Sequence, residues 1–222
     1  MSTASFFSRS VEFCGQILEG GRRRPQPGKL DAIQRWELPT TLTGLRGFLG
    51  VANYYSNYLK GYAETAGPLM DLLKVPKGKW KGKEAKRLVW MPEAERSFVE
   101  TKQLLAQRLE LFIVQPDRPF YMETDASDVA IGATLKQCDE DGSRTGTVGA
   151  MYPVAFVSWK LQSSQQNWSP PKKEAYVVVL ALCKWDSWVG LQPITVHSDH
   201  HSLQHWHSEA VDTPRGPSGH KG

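Results

Sequence analysis

Pro119-Phe120-Tyr121-Met122-Glu123-Thr124-Asp125-Ala126-Ser127 is the stretch on which the fold turns. Its residues from Phe120 to Thr124 predict a strand, and Asp125 stands at the end of it, directly after a hydroxyl residue. Two more strands follow, over Val129–Lys136 and Val154–Ser158, separated by a Gly- and Asp-rich loop over 139–149. Ser169-Pro170 opens a helix that reaches about Val189, with Ser169 as N-cap and Pro170 at the first helical position. Pro193 to His197 predicts a further strand. Strands followed by a helix and another strand indicate a mixed α/β layer fold.

The residues before Pro119 read differently. Val11 to Leu18 alternates loosely and suits a strand or hairpin edge, and Glu19-Gly20-Gly21 marks a turn. Arg22-Arg23-Arg24 is a basic triplet, followed by Pro25 and Pro27 as breakers. A short helix is expected over Gly28–Trp36. A clearer one carries Leu45, Phe48, Leu49, Ala52 and Tyr55 at helical spacing, a stripe best read as core. Another helix runs from about Tyr62 to Lys74, with Pro68 inside it or at a boundary. Lys74 to Arg87 is a basic loop, and Pro92 opens a helix to about Leu109. The tail from Asp212 is rich in turn formers and reads as unstructured.

Composition narrows the class. The chain has 222 residues, 40% of them hydrophobic and 23% charged, the balance of a globular protein of one or two domains. No apolar run is long enough to span a membrane, and no signal peptide is expected. The 3 cysteines (Cys14, Cys138, Cys183) are too far apart for a Cys-based metal site and odd in number, so an intracellular, reducing compartment is expected. The net charge of +4 hides an asymmetry: residues 1–90 carry 15 Lys and Arg against 7 Asp and Glu, whereas residues 91–222 carry 12 against 16. A basic half suits a polyanion and an acidic half suits cations.

Three acids stand out. Asp125 and Asp199 each end a predicted strand, where ligands gather in α/β sheets. Were those strands parallel neighbours, the two carboxylates would converge. Glu174 shares a helical stripe with Val177, Val178, Ala181, Leu182 and Trp185, so it faces the sheet and calls for a partner. Three carboxylates without cysteine fit a hard, oxygen-liganded cation such as Mg²⁺, and two such ions suit phosphodiester hydrolysis. Plainer roles stay open: turn-starting acids for Asp125 and Asp199, and a helix-dipole role for Glu174. His197, His200, His201, His205 and His207 cluster in sequence, but a solvated segment suits them better than a zinc site.

These stretches together resemble the polyprotein of gypsy-like LTR retrotransposons. Val11-Glu12-Phe13-Cys14-Gly15-Gln16-Ile17 is similar to the strand near the end of the family's reverse transcriptase palm. Leu45-Arg46-Gly47-Phe48-Leu49-Gly50-Val51-Ala52-Asn53-Tyr54-Tyr55 resembles its thumb signature. Pro68-Leu69, Leu72-Leu73, Val89-Trp90, Phe98 and Leu104-Leu105 match its connecting segment. Phe120 to Ser127 with Ile131-Gly132-Ala133, then Pro153-Val154-Ala155-Phe156, Lys172-Lys173-Glu174 and Ser198-Asp199-His200-His201-Ser202-Leu203, match its RNase H blocks in order. The resemblance covers residues 11–210.

It implies an organisation: the end of a palm over 1–24, a thumb-like helical segment with the basic loop over 25–90, a connecting helix over 91–118, a partial RNase H-like domain over 119–211 and a disordered tail over 212–222. Overall this is an α/β chain, α+β in the large, with an incomplete mixed sheet and one packed helix. Asp125, Glu174 and Asp199 take the positions of three catalytic, Mg²⁺-binding acids of a two-metal ribonuclease H, which cleaves the RNA strand of an RNA–DNA hybrid. Arg22, Arg23, Arg24, Lys29, Arg46, Lys77, Lys79, Lys81 and Lys83 are the expected phosphate contacts. The expected partners are a hybrid or other nucleic acid and the rest of the polyprotein.

Departures from the pattern bear on activity. No Tyr-x-Asp-Asp-type pair occurs, so polymerisation by this chain is not expected. The family's last strand and final helix, with a fourth acid, have no counterpart before the tail, which weakens the second metal position and leaves a sheet edge unpaired. Val129-Ala130, Trp159 and Pro170-Pro171 replace the residues usual there. Weakened or lost cleavage, a non-catalytic nucleic-acid-binding remnant, and a pseudogene product therefore stand beside the enzymatic reading.

Overall fold

The structure, a computed structural model, describes residues 9–74, 88–107, 109–138, 150–190 and 192–198. Lys77, Lys79, Lys81, Lys83 and Asp199, together with His200, His201, His205 and His207, lie outside these described residues.

The first half is built on a small antiparallel sheet in the order β1-β2-β3-β4, formed by β1 (Ser10–Phe13), β2 (Gln16–Glu19), β3 (Arg22–Pro25) and β4 (Leu111–Phe112). Two-residue turns join the first three strands. Cys14 and Gly15 both take positive φ (48° and 75°), as do Gly20 and Gly21, the handedness that matches the twist of paired strands. The basic triplet is thus a strand, with Arg22 opposite Phe112 and Arg23 opposite Leu111. The two-residue β4 escaped the sequence reading because so short an element carries no periodicity.

The helices of this half are α1 (Pro27–Gln34), α2 (Leu42–Tyr54), α3 (Tyr62–Thr65), α4 (Gly67–Leu72) and α5 (Pro92–Ala106). Thr41 caps α2 by accepting a hydrogen bond from the Gly44 amide at 3.1 Å, a contact worth about 1 kcal/mol. The stripe on α2 buries Leu45, Phe48, Leu49 and Ala52 as its spacing requires. Phe48 sits at the centre, edge-on to Trp36 and tilted against Phe98 with ring centroids 4.6 Å apart. The helix expected over 62–74 is two short helices, with Ala66 between them and Pro68 in the first turn of the second, where its missing N–H costs nothing.

The second half is a mixed sheet in the order β7-β6-β5-β8, from β5 (Phe120–Ala126), β6 (Ala130–Cys138), β7 (Met151–Lys160) and β8 (Ile194–His197). β5, β6 and β7 are antiparallel neighbours, whereas β8 runs parallel to β5 with Phe120 opposite Ile194 and Glu123 opposite His197. A one-turn helix, α6 (Ser163–Gln166), precedes the long α7 (Pro170–Val189), which packs on β5 and β6 and ends at Gly190 with φ +55°. Pro170 occupies the first turn as expected, but the Ser169 side chain makes no capping hydrogen bond. Phe120, Met122, Leu135, Val154, Val177, Ala181 and Trp185 form the core between helix and sheet.

Strand β7 joins the two halves. Ser158 Oγ accepts a hydrogen bond from the Ala63 amide at 2.9 Å, capping α3 from a distant strand. Lys160 Nζ donates to the Gly67 carbonyl at 3.0 Å and pairs with Asp71. Phe156 packs against the first core.

Candidate functional site

The parallel pairing of β5 and β8 brings the carboxyl ends of both strands together, the condition on which convergence of the two strand-end acids depended. Alternation along β5 then sorts its side chains. Phe120, Met122 and Thr124 are buried toward α7, and Glu123 and Asp125 project to the other face.

Glu174 lies in the second turn of α7, which is held against the sheet by Val177, Val178, Ala181 and Trp185. It is 6% exposed. Its Oε2 accepts a hydrogen bond from Thr124 Oγ1 at 2.7 Å and another from Ser198 Oγ at 3.2 Å. Among the described residues no basic side chain pairs with it. A desolvated carboxylate with hydroxyl donors and no cation is electrostatically under-compensated. That donor chemistry fits a hard divalent cation.

Asp125 sits opposite Gly132 at the end of β5 and is exposed. Its carboxylate has no partner among the described residues, and it does not bond to Glu174. Together with Lys60, Glu64, Glu123, Thr134 and His197 it lines a groove of about 1060 Å³ between the sheet and the start of α3. His197 is exposed and stacks on Tyr121, with ring centroids 6.3 Å apart. Among the described residues no group of three or more metal-ligating side chains is assembled.

The expected phosphate contacts divide by environment. Arg22 pairs with Glu110 at 3.0 Å and lies over Phe112, and Arg24 pairs with Glu19 at 2.8 Å. Both stay exposed. Arg23 turns inward, donating to the Val154 carbonyl at 2.8 Å between the rings of Tyr58 and Trp188. Burial holds its guanidinium below its ordinary pKa, with Tyr58 pulling the other way. The Tyr58 hydroxyl is in turn pushed up to about 12, because burial outweighs the charge of Arg23. Lys29 and Arg46 are exposed, without an ion pair among the described residues. The Lys29 ammonium lies over Gly15, where a β-carbon would come within 2.5 Å of it.

The sequence marks a hydroxyl residue directly before Asp125 and gives it no partner; the structure gives the hydroxyls of both Thr124 and Ser198 to Glu174. The sequence reading missed Lys173, 4% exposed, whose Nζ pairs with Asp128 at 3.1 Å. The signal was present, since Lys173 stands four residues before the buried Val177 on the same helical face.

Comparison with known proteins adds relatives. Residues 115–216 match the RNase H-like domain found in reverse transcriptase. The Retrovirus-related Pol polyprotein from transposon opus of Drosophila melanogaster is 29% identical over 206 residues, spanning 91% of this chain and 20% of the relative. Its counterpart from transposon gypsy is 32% identical over 203 residues, 89% of this chain and 18% of the relative. A Tf2-3 transposon polyprotein of Schizosaccharomyces pombe is 28% identical over 200 residues, 89% of this chain and 14% of the relative. The chain therefore spans a fifth or less of these polyproteins. Among solved structures, the foamy viral protease-reverse transcriptase in complex with RNA/DNA hybrid superposes with a TM-score of 0.72 at 23% identity, over 88% of this chain and 24% of that one. The same viral protein with double-stranded DNA gives 0.71 at 23% identity, over 92% and 39%. Among the described residues no helix is long and apolar enough to cross a membrane.

Proposed function

We propose that this chain, which belongs with the gypsy- and Tf2-like retrotransposon Pol polyproteins and carries their RNase H-like region, cleaves the RNA strand of an RNA–DNA hybrid hydrolytically. The observation that carries the reading is the buried Glu174 carboxylate, held by two hydroxyls, unpaired by any described cation, and placed where two parallel strands end. Asp125, Glu174 and Asp199 are the residues that would hold Mg²⁺. When bound, the metal supplies charge stabilisation on the scissile phosphate and a more acidic water. Thr124 and Ser198 fix the Glu174 carboxylate by hydrogen bonds to one of its oxygens. Asp125 presents its carboxylate to the open groove, within reach of a backbone laid along it.

The hybrid would lie across that groove and onto the basic first half. Lys29, Arg46, Arg22 and Arg24 are exposed cations of the first half, and Lys77, Lys79, Lys81 and Lys83 are proposed to add to them. Such contacts are sequence-independent and salt-sensitive. The palm-end, thumb-like, connecting and RNase H-like boundaries at 24, 90 and 118 are proposed on the same footing.

The test is a cleavage assay on a labelled RNA–DNA hybrid with Mg²⁺, comparing the parent chain with Asp125→Asn. Cleavage by the parent that falls at least a hundredfold in the variant supports the reading. Equal or absent cleavage in both defeats it. A second reading, hybrid binding without cleavage, is favoured by the placement of Asp125, which shares no bond with Glu174 and faces away from it. That reading expects salt-dependent binding that Asp125→Asn leaves unweakened.

A further inference from the structure

We propose that Lys173 and Asp128 form a positioning strap that fixes the turn behind Asp125 to the helix turn carrying Glu174. The strap's role in the site rests on the carboxylate reading above; its existence does not. Lys173 and Glu174 are consecutive, yet their side chains serve different neighbours. Glu174 reaches Thr124 and Ser198, whereas Lys173 runs its stem along the buried helix–sheet junction and delivers its ammonium to Asp128 at 3.1 Å. The lysine side chain is 5% exposed and the aspartate 99% exposed. The pair therefore sits at the mouth of the junction, with one partner anchored and the other free to swing unless held.

What Asp128 belongs to makes the contact consequential. It lies in the three-residue turn Ser127–Val129 that joins β5 to β6, immediately after Asp125 and Ala126. Ser127 organises that turn from within. Its amide donates to the Ala130 carbonyl at 2.8 Å, and its Oγ accepts from the Ala130 amide at 3.1 Å and from the Val129 amide at 3.4 Å. The Leu161 amide donates to the Val129 carbonyl at 2.8 Å and ties the turn to the end of β7. Only the Lys173–Asp128 pair, among the described residues, runs from the turn to α7. The end of β5 is already tied to the helix by the Thr124–Glu174 hydrogen bond, and the strap adds a second tie from the turn that follows Asp125. Lys173 and Asp128 touch no reacting atom in this scheme and are positioning residues.

The experiment is amide hydrogen exchange on the full chain, read separately over Asp125–Ala130 and over Val177–Val189. Asp128→Asn and Lys173→Met are each expected to speed exchange in the turn about two- to fivefold, the range of an ion pair with one exposed partner, and to leave the helix unchanged. Lys173→Arg should keep the protection, and the double variant should add nothing to either single. Should Lys173→Met fold poorly, Asp128→Asn carries the test alone, because the Asp128 side chain leaves no cavity. In the cleavage assay both variants should lower kcat with KM for the hybrid unchanged and raise the Mg²⁺ concentration needed for half activity. Unchanged turn exchange in Asp128→Asn, or faster exchange spread equally over the helix, overturns the strap. Loss of protection in Lys173→Arg equal to that in Lys173→Met overturns the role of charge. If exchange responds as expected but the parent shows no Asp125-dependent cleavage, the strap stands and the hybrid-cleaving reading falls.

Discussion

The two halves of the molecule bury different chemistry. The interior of the first is aromatic and aliphatic, around Phe48, Leu45, Phe98 and Tyr55, and its buried polar side chains outside the tyrosines are the hydroxyls of Ser97 and Thr101. The interior of the second takes in an ammonium, a carboxylate and an amide, from Lys173, Glu174 and Gln137. Gln137 is fully satisfied in a structural role, receiving the Gln115 amide and donating to the Gln115 and Arg118 carbonyls. Among the described residues Glu174 is not matched by charge. Desolvated charge without a counter-charge reduces stability, and the proposed metal-binding role of Glu174 would account for its presence there.

That contrast can be broken most forcefully at Phe48. Phe48→Ala should cost about 3–5 kcal/mol in urea unfolding, because the side chain is fully buried among Trp36, Leu45 and Phe98. Hydrogen exchange should locate the loss in α2 and α5, with β5 and β6 keeping their protection. Equal loss in both places would show one cooperative unit and erase the distinction. The converse change is Glu174→Gln, which removes the uncompensated charge and keeps an oxygen for Thr124 and Ser198. It should raise stability by about 1 kcal/mol without divalent cation. It should also abolish the stabilisation that Mg²⁺ gives the parent. A variant less stable than the parent in chelator would show that the carboxylate is structural.

The arginine triplet sharpens the comparison at the seam between the halves. Arg23→Met strands the Val154 carbonyl and should cost about 1–2 kcal/mol in urea unfolding. Arg22→Met and Arg24→Met, at exposed ion pairs, should change stability by at most about 0.5 kcal/mol. Each should instead lower the salt slope of hybrid binding by about 1. A salt slope that drops for Arg23→Met and not for its neighbours would reverse the assignment.

The triplet also shows what sequence can and cannot carry. Its charge was legible, but the inward turn of Arg23 follows from alternation in a strand held between β2 and the much later β4. The helical stripe of α2 and the sheet-facing position of Glu174 were legible because both are periodic, and periodicity is local. The parallel neighbourhood of β5 and β8 entered as a condition, since pairing over such a separation leaves no local mark. The break at Ala66 was half legible: Pro68 signals a boundary, while the two short helices depend on Ser158 of β7 capping the first of them. The Lys173–Asp128 contact was half legible too. The buried position of Lys173 is readable from its core neighbour at i+4, but its partner Asp128 lies in a different element far earlier in the chain.

The smallest effect expected lies at Lys160, the other tie across the seam. Lys160 Nζ is held by the Gly67 carbonyl and Asp71, and Lys74 also pairs with Asp71 at 2.9 Å. Partial burial works to raise the Asp71 pKa, but the hydrogen bonds and charges of Lys160 and Lys74 outweigh it and hold the carboxyl below its ordinary value of 3.8. A carboxyl depressed on folding adds stability above its unfolded pKa and loses that share as pH falls through its folded value. The contribution is therefore complete at neutral pH and disappears only in acid below 3.8. Asp71→Asn should lower stability slightly at pH 7 and converge with the parent at the acid end, the gap at pH 7 shrinking with added salt as exposed pairs do. A gap that persists in acid would mean that Asp71 acts through packing, and that the seam is held by Arg23 and Ser158 without help from charge at its rim.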